Sequence, residues 1–216
     1  MRKEYFALMQ DRPALFDNPS DCPLKIIMEE AEIQNVEQKT GRTVGIMYED
    51  SYIYLLRDAV KFANGSFGTY IRLVHKNASG GSVVLPVTED GKLILVKHFR
   101  HSARKFYYEI PRGFQEAGLT GKENAKKEIK EEINAVPLDI HYLGDVLADS
   151  GLIGTSAAIY CATIPAENLQ VNDMEEGITH IISLSYDELV KKILEGEIQD
   201  SYTLTALYLA KLHQLI

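Results

Sequence analysis

An α/β or α+β domain is predicted from three features of the sequence. Short β-rich runs recur at close spacing, helical apolar periodicity appears in separate segments, and the two kinds of segment are interleaved. Residues 26–40 (KIIMEEAEIQNVEQK) read as a helix ended by Gly41, since glycine accepts the left-handed conformation common just past a helix C-terminus. Four β-rich runs follow, SYIYLLRDAV, TYIRLVHK, SVVLPV and KLILVKHF, punctuated by the turn signals ANGSFG, NASGG and TEDGK. A helix is expected over 122–133, then strands near 141–148, 156–164 and 178–184. Ser185-Tyr186-Asp187-Glu188 is a capping-box signature, and Tyr186, Leu189, Val190, Ile193 and Leu194 behind it share one helix face. A last helix is expected from Ser201 to the end, with Leu204, Leu207, Leu212 and Leu215 as apolar positions.

Composition bounds what such a domain does. With 216 residues, 45% of them hydrophobic and 25% charged, the chain suffices for one substantial core plus an added element. Residues 1–78 read as that added N-terminal element with strands, and residues 79–216 as the main domain. The net charge of −8, with no compensating basic stripe, argues against a nucleic-acid partner but leaves room for a small phosphorylated ligand. Cys22 and Cys161 lie far apart without metal-ligand spacing, which fits a reducing cytoplasm. No stretch approaches the ~20 apolar residues of a membrane span, and the N-terminus MRKEYFALMQDRP lacks a signal peptide's apolar run. A cytoplasmic protein without a membrane partner is expected, and its sequons at Asn64 and Asn77 are expected to be idle.

One segment carries chemistry. In GFQEAGLTGKENAKKEIKEEINAV, which opens at Gly113, the second half is a helix with Glu128, Glu131 and Glu132 crowded into its last turns. At ~100° per residue these acids share a sector roughly 100° wide. Ala125, Ile129 and Ile133 form an adjoining apolar sector, and Lys126, Lys127 and Lys130 take the remaining side. A charged solvated helix is the ordinary reading of such a run. Against it, Glu128 and Glu132 repel one another at i, i+4, and the helix dipole disfavours anions at the C-terminal end. A divalent cation turns that repulsion into a requirement, because hard oxygen ligands must converge from one face. The preceding loop, with glycines at 113, 118 and 121, allows close backbone approach to a ligand or simply connects.

Taken together, residues 109–135 resemble the Nudix box of the Nudix hydrolases. That pattern is Gly, five residues, Glu, seven residues, then Arg-Glu-apolar-x-Glu-Glu-x-Gly-apolar. Gly113 falls on the opening glycine and KEIKEEINA at 127–135 on the closing half, with Glu128, Ile129, Glu131, Glu132 and Ala135 in register. Three positions depart: Leu119 for the first glutamate, Lys127 for the arginine and Asn134 for the last glycine. Asparagine is the next-best residue for a left-handed helix terminus. Without an acid at 119, no bidentate guanidinium is needed at 127, so the family's loop-to-helix clasp is expected to be lost and Lys127 left to orient Glu131.

The wider chain is similar to the ADP-ribose pyrophosphatase branch of that family. KLILVKHFRHSARKFYYEIPRGFQEAG, NDMEEGITHIISLS and LEGEIQDSYTLTALYLAKL carry the likeness; DSGLIGTS at 149–156 departs by lacking a proline. The resemblance implies an α/β/α sandwich with a mixed sheet, and hydrolysis of a nucleoside diphosphate joined to another moiety, with ADP-ribose cleaved to AMP and ribose 5-phosphate as the leading case. It implies Mg2+ or Mn2+ held by Glu128, Glu131, Glu132, Glu176 and the main-chain carbonyl of Arg112. Glu176, its neighbour Glu175 and Glu131 are the implied catalytic acids, Arg100 a phosphate clamp and Glu109 a substrate contact. Without the resemblance, Arg100 reads as a surface arginine and Glu109 as a strand-end charge. A homodimer formed through the N-terminal strands is also implied. Another nucleotide sugar or a dinucleotide is the rival substrate, and a nucleotide-sensing domain that does not cleave is the rival class, suited by Leu119 and Lys127. No HExxH, Gly-x-Ser-x-Gly or P-loop occurs, and His98 and His101 read as solvated or packed.

Overall fold

The β-rich segments become strands, and these strands gather into two separate sheets. The computed structural model describes residues 2–76, 80–172 and 175–216. It divides into one unit of Met1–Lys76 with Asp149–Gly154, and a second of Asn77–Ala148 with Thr155–Ile216.

The first unit contains α1 (Arg2–Asp11), a 3-10 turn (Pro13–Phe16), β1 (Leu24–Ile26), α2 (Glu30–Thr40), β2 (Gly45–Glu49), β3 (Ile53–Phe62) and β4 (Phe67–His75). β3 is central: β4 pairs along nearly its full length, while β1 and β2 share its other edge, all antiparallel. The segment 149–154 joins this unit where the Leu73 N–H donates to the Leu152 carbonyl, 2.8 Å away. Tyr5, Phe16, Ile33, Val36, Leu56 and Val74 form the core under the helices. A polar network crosses that core. The Tyr5 hydroxyl donates to Asp58 Oδ1 (2.5 Å), Arg72 Nε donates to Asp58 Oδ2 (2.6 Å), and Arg72 Nη1 donates to the Leu15 carbonyl (2.7 Å). Arg72 also stacks its guanidinium over Phe16.

One expectation here is corrected. The helix expected from residue 26 starts at Glu30, because Lys25 and Ile26 pair with Lys61 and Val60, and the sheet ladder claims them first. Gly41 does end it, at φ 67°. The start of the NASGG turn, the Asn77 sequon and the limit set at residue 78 fall on residues 77–79, outside the described residues.

The second unit holds β5 (Ser82–Thr88), β6 (Leu93–Arg100), β7 (Lys105–Glu109), β8 (Arg112–Gly113), α3 (Gly121–Ile133), β9 (Asp139–Val146), β10 (Ala157–Ile164), β11 (Ile178–Leu184), α4 (Tyr186–Leu194) and α5 (Ser201–Leu212). Its sheet runs β11-β6-β5-β10-β9, with β7 on β6 and β8 on β5; β10 is parallel to β5 and the other pairs are antiparallel. Alternation sorts the strands onto two faces. Val83, Leu85, Leu93, Leu95 and Ile159 pack with Leu189, Ala206 and Leu207 of α4 and α5. Val84, Ile94, Val96 and Ala162 pack with Ala125, Ile129 and Ile133 of α3. The result is an α/β/α sandwich around a mixed sheet. The capping box at Ser185 is present, and α5 ends at Leu212, short of the chain end.

Asp58 is buried and held by Arg72, so removing the cation leaves an uncompensated charge. Arg72→Met is expected to cost about 3 kcal/mol, and Tyr5→Phe about 1 kcal/mol, in urea unfolding followed at the first unit. Equal, small losses would show that the network does not anchor α1.

Candidate active site

The acid-bearing helix is set by local signals at both ends. The Thr120 side chain accepts from the Glu123 N–H, and Glu123 Oε2 accepts from the Thr120 N–H at 2.8 Å, closing a capping box. Asn134 ends α3 in the left-handed conformation, at φ 56° and ψ 31°. Burial of Ala125, Ile129 and Ile133 against the sheet draws the adjoining acids inward, leaving Glu128 8% and Glu132 3% exposed. Glu131, on the outer edge, stays half-exposed.

The strand segment facing α3 is shaped around those acids. The Arg112 N–H donates to Glu132 Oε1 at 3.1 Å, while Glu132 Oε2 is buried with no hydrogen-bond partner. A Cβ on Gly113 would lie 2.3 Å from Glu128 Oε2, so only glycine admits the carboxylate there. Asn124, fully buried, extends its amide toward Glu128 Oε1 (3.5 Å), and its Oδ1 accepts from the Glu116 N–H (3.0 Å), tying the loop to the helix. Burial pushes the Glu128 carboxyl up to about 7; Lys127 opposes the rise, and the charges of Glu131, Glu176 and Glu116 add to it. Burial likewise pushes Glu132 up to about 8, against the Arg112 N–H and with the charge of Glu128.

The other expected residues gather around this pair. Glu176 is exposed on the turn before β11, its charge acts on both Glu128 and Glu132, and its main chain hydrogen-bonds the His98 ring. Glu175 is exposed on the same turn. Arg100 does not reach out freely: its Nε and Nη2 lie 2.8 and 2.5 Å from Glu109 Oε2, though its charge still eases the ionisation of Glu132. Glu109, 2% exposed, also accepts from Arg112 Nη2 at 3.1 Å, so in this structure it serves two guanidinium groups. His98 is buried and His101 exposed.

The lost clasp is a correction. Lys127 pairs with Glu131 and with Glu116, the latter at 3.1 Å, so an acid three residues before Leu119 ties the loop to α3. Partial burial opposes the Lys127 charge, yet the hydrogen bonds to Glu131 and Glu116 outweigh it and hold the ammonium above its ordinary range. Glu116, Thr120, Glu123 and Asn124 were not among the expected site residues. Thr-x-x-Glu at 120–123 carries the same capping signature as Ser185 and was readable; Asn124 and Glu116 act through tertiary contacts.

A divalent cation suits these residues. Among the described residues no three His, Cys, Asp or Glu side chains converge as a ready ion cage, with Glu131 turned outward onto Lys127. Yet Glu132 Oε2 is a buried, unpartnered carboxylate oxygen, Glu128 is buried beside it, and the donors are hard oxygens. A NUDIX domain family model matches residues 79–206.

The chain belongs to the Nudix family of hydrolases. Nudix hydrolases generally use divalent cations. A protein named methanol dehydrogenase activator, from Bacillus methanolicus, is 26% identical over 182 residues, covering 83% of this chain and 96% of its own. A protein named ADP-ribose pyrophosphatase, from Bacillus subtilis (strain 168), is 22% identical over 192 residues, covering 88% of this chain and 96% of its own. Among solved structures, one titled as an ADP compounds hydrolase superposes with a TM-score of 0.63 at 17% identity, covering 78% of this Nudix hydrolase and 90% of that chain. No helix among the described residues is long and apolar enough to cross a membrane.

The raised carboxyls set a pH dependence. The folded state keeps protons on Glu128 and Glu132 that the unfolded chain has released above the ordinary 4.5, so this contribution is full below that pH and lost as pH rises toward about 8. In chelator, the melting temperature should fall from pH 5 to pH 9, and Glu132→Gln should flatten the fall, exceeding the wild type by roughly 5 °C at pH 9. Calorimetric curves that run parallel for the two proteins would refute the burial of that charge.

Proposed function

We propose that the protein hydrolyses the diphosphate bond of a nucleoside diphosphate joined to another group, with ADP-ribose, giving AMP and ribose 5-phosphate, as the leading substrate. The observation that carries this reading is the buried, unpartnered Glu132 carboxylate beside buried Glu128, within electrostatic reach of Glu176. Support for the substrate comes from the relative named ADP-ribose pyrophosphatase.

Mg2+, or Mn2+ in its place, is the proposed metal, held by Glu128, Glu132, Glu131 and Glu176 with the Arg112 carbonyl. Bound there, it would offset the diphosphate charge and acidify water. The protein's own groups do the rest. Glu176 is proposed to take the proton from the attacking water, with Glu175 beside it as the alternative. Arg100 is proposed to hold a phosphate oxygen, with buried Glu109 fixing the plane of its guanidinium. Lys127 restrains Glu131, so a cation would have to compete with the ammonium for that carboxylate.

A homodimer in a cytoplasmic setting completes the reading. Tyr48, Tyr52, Phe62, Phe67, Tyr70 and Ile71 stay exposed on the first unit's sheet strands and their connections, apolar surface that a second copy would cover. Ile46 is buried under the helices, and Ile53, Leu55 and Leu73 are half-buried.

The test is a panel of nucleoside diphosphate derivatives, ADP-ribose, other nucleotide sugars and dinucleotides, assayed with Mg2+ and with product identification. ADP-ribose is expected to turn over fastest, with Glu132→Gln folded but slowed by about 10²-fold or more. A panel with no turnover, or a fully active Glu132→Gln, would sink the proposal. Light scattering should give twice the chain mass at micromolar concentration; a monomer would rule out the dimer.

A further inference from the structure

The Arg112 side chain leaves the acid cluster for the opposite side of its strand. Its Nη1 donates to Asp200 Oδ1 at 3.1 Å, its Nη2 to Glu109 Oε2 at 3.1 Å, and its guanidinium lies 5.0 Å from the Tyr202 ring centre. Asp200 is the residue that caps α5. Its Oδ2 alone performs that task, accepting from the Thr203 N–H (2.9 Å) and hydroxyl (2.8 Å). Oδ1 is left over for Arg112. Thr203, fully buried, also accepts from the Ile110 N–H at 3.2 Å.

The first turn of α5 therefore grips residues 110 and 112, alternate positions of one extended segment. From α3, on the other face of the sheet, Glu132 Oε1 takes the Arg112 N–H at 3.1 Å. The peptide that carries the Arg112 N–H lies between these grips, and its own carbonyl, that of Pro111, accepts from the Val84 N–H at 2.9 Å. Pro111 and the pairing of Val83 with Arg112 limit its remaining freedom. Capping explains one carboxylate oxygen of Asp200 and leaves the second unexplained; a charge-assisted tether to the strand accounts for it.

We infer that Asp200 is a positioning residue of the hydrolase: through the Arg112 guanidinium it fixes the strand peptide whose N–H meets Glu132, one of the acids that would hold the cation. This rests on the reading given under Proposed function. Thr203, gripping Ile110, works with it. Neither residue touches the substrate; each acts through the strand, as outer-sphere groups do when they orient metal ligands.

Asp200→Asn separates the two jobs of the side chain, because asparagine caps a helix as well as aspartate does but offers Arg112 no charge. Mn2+ binding measured by calorimetry is the first readout, and kcat with KM for the preferred substrate the second. The expected result is a melting temperature close to that of the wild type, Mn2+ affinity weaker by about tenfold, and kcat lower by about tenfold with KM little changed. Arg112→Ala should show the same losses, and the double variant no more than either alone. Normal Mn2+ affinity and kcat in Asp200→Asn would reduce the residue to a helix cap and overturn the inference alone. Fully additive losses would overturn the route through Arg112. A wild-type protein that binds no Mn2+ would overturn both the hydrolase reading and this one.

Discussion

Two carboxylates of one helix are held where water cannot solvate them, and the rest of the site is arranged around that constraint. Glu128 and Glu132 lie a turn apart, both buried, and the protein supplies them little relief: one main-chain N–H for Glu132 and a long amide contact for Glu128. Burying an ionised carboxylate costs several kcal/mol even after relaxation. The offset comes from the apolar residue that follows each acid in sequence. Ile129 and Ile133 are fully buried, each contributing about 1.5–3 kcal/mol, and they cannot enter the core without turning the acids inward too. The helix is thus pressed into place by one apolar stripe, which holds the adjoining pair of acids in a poorly solvated position.

The sheet makes that arrangement rigid. Strand alternation gives it two apolar faces, one for α3 and one for α4 and α5. The short segment 109–113 at the edge of β5 is addressed from both. Its side chains at Ile110 and Arg112 turn to the α5 side, its N–H at Arg112 turns to Glu132, and the absence of a side chain at Gly113 leaves room for Glu128. Glu109 draws Arg100 and Arg112 to a single oxygen. Cations placed so close repel one another unless an anion sits between them, which explains a glutamate buried at 2% exposure.

What was legible in the sequence was what local patterns encode. The acidic sector of α3 and most strands of the sandwich follow from spacing, while Gly113 and the terminal Asn134 were placed by the resemblance to the Nudix box. The N-terminal helix α1 was missed because only Tyr5 and Leu8 of its residues are buried, a pattern too thin to read, and its anchors Asp58 and Arg72 lie more than fifty residues away. The same holds for Arg112 with Asp200, paired across 88 residues. At Ile26 and Ile27 a helical pattern lost to hydrogen bonding with β3, since backbone hydrogen bonds to a neighbour outweigh weak helix propensity.

The replacement of the expected Glu–Arg clasp is the instructive case. Leu119 and Lys127 taken alone suit a domain that has given up chemistry, since a guanidinium fork and its carboxylate are both gone. Lysine, however, carries a compact charge with no preferred plane, so its partner need not occupy the position a fork demands. Glu116, three residues earlier on the same loop, meets it at 3.1 Å. The loop stays tied to α3, and Asn124 adds a second tie through the Glu116 N–H. The same ammonium also holds Glu131, so loop and outer acid share one cation. A change in this lysine's pairing would therefore move both together, and the departure at 119 and 127 relocates the family's loop anchor without dismantling the acids it serves.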